Sequence, residues 1–230
     1  MSSDLREKLL DAALLHVPFD GWGSAGLNAG ARDISVSTKA AQALFPRGAP
    51  EMAQAFHQRG DDAMAARMNA PATGTMRYSE KVAAAVWFRL EAVGDKDVAR
   101  RSMTLFSLPQ NAPDGARLIW GTADRIWCAL GDTSDDVNWY SKRAILAGVY
   151  ASSLLFWLGD NSPGQSASRD FVNRRIANVM QFEKFKSRLR DDPAVSRLMK
   201  IPNSFLSRIR APERAARDDL PGHWPASGRR

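Results

Sequence analysis

The sequence predicts an all-α fold, and three observations carry that prediction. Alanine, the residue with the highest intrinsic helix propensity, occupies 35 of the 230 positions. Apolar residues recur at helical spacing in one segment after another, and proline or glycine closes most of those segments. No two neighbouring segments alternate apolar and polar residues in the way a hairpin requires. A chain of 230 residues suits one domain with an appendage. Folding at this length buries about 70% of the extended chain's surface, so stability needs neither a disulfide nor a structural metal. The single Cys128 excludes an intrachain disulfide and a cysteine-based zinc site, and it points to a reducing compartment.

The elements follow in order. Leu5, Leu9, Ala12 and Ala13 form the first helical stripe, which Pro18 and Gly21 end. A short helix and a loop come next, then Ser35 to Pro46, where Ser35 or Ser37 caps a helix that Pro46 stops. Glu51 to Asn69 continues as a helix with Pro50 near its start, and Pro71 to Gly74 punctuates a boundary. Four longer helices are predicted over 79–93, 97–108, 114–130 and 136–159. Val82, Val86, Leu90 and Val93 line one face of the first, and Leu118, Ile119, Ile126, Trp127 and Leu130 one face of the third. After a turn at Asn161 to Ser166, Phe171 to Leu189 carries Val172, Ile176, Val179 and Met180 on one stripe. The organisation expected is a unit over 1–70, a helical domain over 75–190, an amphipathic segment over 193–210 and a disordered tail over 211–230.

The net charge of +7 is unevenly placed. Residues 1–166 hold 17 Lys/Arg against 18 Asp/Glu, whereas residues 167–230 hold 15 against 7. The amphipathic segment lies in that basic region. Leu198, Met199, Phe205, Leu206 and Ile209 form its apolar face, Arg197, Lys200, Arg208 and Arg210 its polar face, and Pro202 interrupts it. Such a segment suits a peripheral membrane contact, because burial of the apolar face adds to about 1 kcal/mol per well-placed base on an anionic surface. The most apolar stretch, Ala144 to Leu158, is 15 residues long, short of the ~20 needed to span a bilayer. The mixed charges of the N-terminus imply no export, so the expected place is the cytoplasm, peripheral on the inner face of the membrane.

Little in the chain points to catalysis, and a non-enzyme without cofactor or metal is expected. Gly21, Gly23 and Gly26 match the dinucleotide spacing but follow a helix rather than a strand. His16, His57 and His223 stand far apart without carboxylates at metal-ligand spacing. Binding signals are better developed. Thr133 or Ser134 can cap the helix that begins near Asp136. Trp139 and Tyr140 are adjacent in it, about 100° apart, so a narrow core stripe cannot absorb both. Either a wide core takes them or one belongs to an interaction patch near Trp127. Along 144–158, Gly148, Ser152 and Ser153 leave space beside Val149, Tyr150, Leu154 and Trp157. That space is either a filled core or the flank of a lipid-sized cavity.

Two resemblances attach to these residues. Asp11-Ala-Ala-Leu-Leu, Asn28-Ala-Gly-Ala-Arg-Asp-Ile-Ser-Val-Ser-Thr-Lys and Ala43-Leu-Phe-Pro resemble the helix-turn-helix unit of the TetR-type fold. The recognition helix it implies, about 36–44, offers Lys39 and Gln42 alone for phosphates and base edges, so DNA binding is not expected. Leu108-Pro-Gln-Asn-Ala-Pro-Asp-Gly-Ala, Leu130-Gly-Asp-Thr-Ser-Asp-Asp-Val-Asn-Trp-Tyr-Ser-Lys-Arg and Arg174-Arg-Ile-Ala-Asn-Val-Met are similar to the ninth Coq protein family of ubiquinone biosynthesis.

That resemblance implies a TetR-like helical bundle with an N-terminal helix-turn-helix-like unit and an amphipathic C-terminal helix, dimerising through its C-terminal helices. It implies binding of isoprenoid quinone intermediates or phospholipid, and support of the hydroxylase that acts on demethoxyubiquinone. The family's partner surface falls on Asp136, Trp139 and Tyr140, with Ile126 and Trp127 on the neighbouring helix. Its membrane-meeting helix corresponds in place to 193–210, where this sequence differs and carries Pro202. The rival expectation is a TetR-type, ligand-responsive transcription regulator.

Overall fold

A computed structural model describes residues 2–135 and 137–191. Among the described residues every regular element is helical: α1 (Ser2–Leu14), α2 (Val17–Asp20), α3 (Ser24–Asp33), α4 (Thr38–Leu44), α5 (Ala49–Met68), α6 (Tyr78–Glu91), α7 (Lys96–Ser107), α8 (Ala112–Ala129), α9 (Val137–Gly159) and α10 (Ser166–Asp191). The all-α expectation holds, with most boundaries moved by one to five residues, as expected where caps rather than periodicity decide. Pro18 does not end the first helix. Its fixed φ suits the first turn of α2, and Gly21, at φ +72°, is the residue that turns the chain.

α1, α3 and α4 form the helix-turn-helix-like unit. Leu9, Leu10 and Ala13 of α1 pack against Leu27 and Ala31 of α3, Ala41 of α4, Phe45 and Met52. The α1–α3 crossing is close because α3 carries Gly30 there. A Cβ on it would lie 2.5 Å from Ala13 N. Ser37, not Ser35, caps α4 by accepting from Ala40 N at 3.2 Å. Ser35 instead takes the left-handed conformation in the turn before it. Arg6 holds the unit's far side, 4.5 Å over the Phe45 ring, and donates to Leu44 O and to Glu51.

α5 belongs to two cores at once. Its first half, with Met52 and Ala55, closes the N-terminal unit, and its second half, with Met64 and Met68, enters the main bundle. That bundle packs α6 (Val82, Val86, Leu90), α8 (Ala123, Ile126), α9 (Leu146, Val149, Tyr150, Trp157) and α10 (Val172, Ile176) against one another. Trp22 Nε1 donates to Ser102 Oγ at 2.9 Å and ties the N-terminal unit to α7. The most apolar stretch of the sequence, Ala144 to Leu158 in α9, is not buried all round, since Leu155 is 58% exposed and Phe156 stacks at 4.4 Å on Phe171 near the surface. No helix among the described residues is long and apolar enough to cross a membrane. Residues 193–210 and 211–230, with all of the expected membrane-binding side chains, lie outside the described residues.

Candidate functional site

A cavity of about 310 Å³ opens between α5, α6, α7, α8 and α9. Its walls are apolar, from Phe56, Val93, Met103, Phe106, Ile119 and Leu154. Its mouth lies among exposed Ser107, Ala112, Ala116 and Leu155. The inner end is polar, where His57, Arg89 and Tyr150 meet. The Arg89 side chain, though part of α6's buried face, is ionic because Asp61 of α5 accepts from its Nε at 2.5 Å and His57 O from its Nη2 at 3.0 Å. α5 makes room for it with Gly60, where a Cβ would meet Arg89 Nη1 at 2.7 Å. Thr122 Oγ1 donates to Asp61 Oδ1 at 2.8 Å and lies 2.8 Å from His57 Nε2. With the hydroxyl proton assigned to the carboxylate, Nε2 is the protonated ring nitrogen.

Electrostatics keep this inner end close to neutral. Burial, and then the Arg89 charge, push His57 well below the ordinary histidine range, so the ring is uncharged. Burial raises Tyr150, with Arg89 opposing, so it stays a phenol. Burial also raises Asp61, against the pull of Arg89. The arrangement is an apolar tube ending in a compensated ion pair and neutral hydrogen-bonding groups. It can take an uncharged amphiphile, polar end inward.

Of the residues the sequence offers for lipid binding, Tyr150 and Leu154 line this cavity. Val149 faces α10 beside Gly148, Ser152 and Val179. Trp157 is buried, donates to Gln165 Oε1 at 2.6 Å and receives Lys96 5.1 Å from its ring. Sequence reading missed His57, Arg89, Met103 and Phe106. Arg89 had left a signal: it stands seven residues from Val82, on the same helical face, so a charge interrupts a stripe that must be buried.

The second candidate surface is aromatic. Trp139 and Tyr140 contact edge-to-face at 4.7 Å, and Trp120 of α8 lies 6.0 Å and 6.5 Å from them. Beneath them Arg143 is completely buried, 4.0 Å from the Trp139 ring centroid, and donates to Asp124 at 2.6 Å, Asp132 at 3.2 Å and Trp139 O at 3.1 Å. Asp132 also accepts from Lys142 at 2.8 Å and from Ser134 at 2.8 Å. Burial opposes its ionisation, yet these bonds hold its carboxyl down at about 2. Tyr140 is 37% exposed, whereas Ile126 is fully buried and Trp127 is 7% exposed against Tyr78. The first two form a surface with Trp120, and the other two underlie the bundle. Trp120 is the addition that sequence reading did not make, although it stands seven residues before Trp127 on α8. Asp136 lies outside the described residues.

Two further features narrow the chemistry. On α4, Lys39 and Gln42 are exposed and Lys39 is the helix's only base. Among the described residues, no group of three His, Cys, Asp or Glu side chains could hold a metal ion.

Comparison with known proteins fits this geometry. The crystal structure of the TetR transcriptional regulator from Nitrosomonas europaea superposes with a TM-score of 0.64 at 17% identity, covering 76% of this chain and 97% of that one. The chain is therefore an all-α protein of TetR-like fold. Its sequence is similar to the COQ9 family, whose model matches residues 112–183, from the start of α8 into α10. COQ9-B of Xenopus laevis, described as a mitochondrial ubiquinone biosynthesis protein, is 30% identical over 188 residues, covering 76% of this chain and 62% of that protein. The corresponding protein of Xenopus tropicalis is 27% identical over 184 residues, covering 76% and 58%. That of Drosophila melanogaster is 29% identical over 184 residues, covering 78% and 56%. The chain thus spans about three fifths of the length of these relatives. The resemblance to the ninth Coq protein family is borne out.

Proposed function

We propose that this protein is a non-enzymatic accessory protein of ubiquinone biosynthesis that binds an isoprenoid quinone intermediate and presents it to a membrane-associated hydroxylase. The cavity between α5 and α9 carries the reading, being apolar in its walls and uncharged but polar at its inner end. Its 310 Å³ lies at the low end of the roughly 300–1,000 Å³ typical of ligand sites. It takes a ring and a short stretch of chain, and a long prenyl tail continues outside. A protein that holds the ring while the tail stays near the bilayer suits presentation better than transport through water. The mitochondrial relatives supply the pathway.

In this reading the basic segment 193–210 docks peripherally on the membrane face where the hydroxylase works, taken here as the inner, cytoplasmic face. The hydroxylase meets Trp139, Tyr140 and their neighbours, and the protein is a homodimer. A phospholipid can occupy the same cavity between quinone deliveries with an acyl chain inward and its charged headgroup outside the mouth. Regulation of transcription is disfavoured by the single base on α4.

The test is to purify the protein under mild conditions, determine its native mass, and identify by mass spectrometry the lipid that organic solvent extracts. A stoichiometric isoprenoid quinone or phospholipid supports the reading. Protein that carries no lipid and takes up no added prenylquinone overturns it.

A further inference from the structure

Tyr150 is 1% exposed, yet it lines the cavity. Among the described residues its hydroxyl has no hydrogen-bond partner, although a buried phenol ordinarily finds one. Among the described residues the side-chain polar atoms that are sealed away without a partner are Asn28 Oδ1, Trp127 Nε1, Arg143 Nη2 and Ser153 Oγ. The Tyr150 hydroxyl is not one of them, so it faces open space, and at this depth the open space is the cavity. Its ring is fixed in place, with Arg89 5.5 Å from the centroid on one side and His57 edge-on at 6.4 Å.

We infer that the Tyr150 hydroxyl is the anchor that donates a hydrogen bond to a neutral ring oxygen of the ligand, which enters ring first with its apolar chain toward the mouth. This rests on the reading of the cavity as the ligand site and adds what selects the ligand. The direction of entry follows from the segregation of the walls: His57, Arg89 and Tyr150 lie at the closed end, Phe106, Leu154 and Leu155 lie toward the exposed mouth, and the hydroxyls of Ser102 and Ser107 already donate to Val98 O and Thr104 O. The neutrality of the head follows from Arg89. Its charge is already matched by Asp61 at 2.5 Å, so a carboxylate or phosphate entering here would add an uncompensated charge to a dry site. A quinone carbonyl or a ring ether adds none. A pure hydrocarbon of the same shape would leave the hydroxyl unpaired.

The experiment compares geranyl-1,4-benzoquinone with geranylbenzene, which share the chain and lack or carry the ring oxygens, by calorimetric titration of the full chain and of Tyr150→Phe. The wild type should bind the quinone about tenfold more tightly, the worth of one well-made hydrogen bond to a group otherwise left unpaired. Tyr150→Phe should bring that ratio to about threefold or less while geranylbenzene binds as before. An unchanged ratio in the variant, or equal binding of both probes by the wild type, overturns the anchor. If neither probe binds the wild type, the cavity reading itself falls and the anchor with it. A readout independent of the variant's folding comes from labelling the tyrosine Cζ carbons, of which the chain has three. The quinone should shift the Tyr150 resonance and geranylbenzene should not, and equal shifts with both probes overturn the proposal.

Discussion

The Arg89 guanidinium meets the Asp61 carboxylate at 2.5 Å across the α5–α6 contact, with 2% of the arginine side chain and 13% of the aspartate side chain exposed. A pair this deep is not a general source of stability, because each charge has lost its water. Its role is to make a dry, near-neutral floor for the cavity.

Removing one partner alone should therefore be severe. Arg89→Met leaves Asp61 buried without its cation, and the expected loss is about 3–5 kcal/mol. The double variant Arg89→Met with Asp61→Leu should recover most of it, since two apolar side chains of similar volume leave no charge unpaired. Urea unfolding of the three proteins measures both. A loss below about 1 kcal/mol in the single variant would mean that water reaches the pair.

The aromatic surface and the residues beneath it should separate by phenotype. Ile126→Ala and Trp127→Ala empty fully packed space and should cost about 2–5 kcal/mol of stability. Tyr140→Ala, at a half-exposed ring, should change stability by about 1 kcal/mol or less. If the hydroxylase docks there, Tyr140→Ala should weaken its co-purification although the fold is intact. Thermal melts and a pull-down with that hydroxylase distinguish the two effects. Tyr140→Ala with undiminished co-purification removes the docking surface from the proposal.

Arg143→Lys tests what holds that surface. Lysine keeps the charge but not the fork that reaches Asp124, Asp132 and Trp139 O together. The expected result is a stability loss of about 2–4 kcal/mol with a weakened near-ultraviolet tryptophan signal, as Trp139 loses the cation under its ring. A variant with native signal and stability would show that Asp132 is held by Lys142 and Ser134 alone.

Deleting residues 193–230 removes five apolar residues of the amphipathic face and the basic residues between them. Binding to vesicles containing anionic lipid should fall at least tenfold, at about 1 kcal/mol for each base removed from the surface, while thermal unfolding of the bundle stays cooperative. Equal vesicle binding by the full and shortened chains would place the membrane contact elsewhere.

How much of this was legible depends on the length scale of the signal. Helix periodicity is local, so Val82, Val86 and Leu90 or Val172 and Ile176 could be placed on buried faces from spacing alone. The cavity is not local. His57, Arg89, Met103 and Ile119 reach it from four helices, and no spacing within one helix reports that they meet. Tyr150 and Leu154 were found because small residues beside them in α9 marked a helix that leaves room, and the same argument swept in Val149 and Trp157, which point to other neighbours. Trp139 and Tyr140 were legible because adjacency on a helix forces two directions. That Ile126 and Trp127 lie under the surface depends on how α8 packs against α6 and α9, a tertiary fact.

The pH dependence of stability follows from His57. In the unfolded chain this histidine binds its proton near 6.5, whereas in the fold burial and the neighbouring Arg89 hold its pKa well below that. Below pH 6.5 the unfolded state therefore binds more protons than the native state, and stability falls as the pH falls. The contribution is fully present above 6.5 and is lost on going down toward the folded pKa, with a slope that approaches about 1.4 kcal/mol per pH unit for one proton. Asp61 has the opposite sign, because burial raises it and its protonation favours the fold, but that acts in the carboxylate range, further into acid. Between pH 7.5 and 5.5 the His57 effect should dominate this part of the core. The measurement is urea unfolding across that range for the wild type and for His57→Gln, whose amide can still donate to Thr122 but does not titrate. The wild type should lose stability relative to the variant as the pH drops. Parallel curves would mean that His57 keeps its ordinary affinity for a proton in the fold, and a wild type that gains stability relative to the variant as the pH drops would mean that the fold favours the protonated ring, a result that would also admit an anionic ligand.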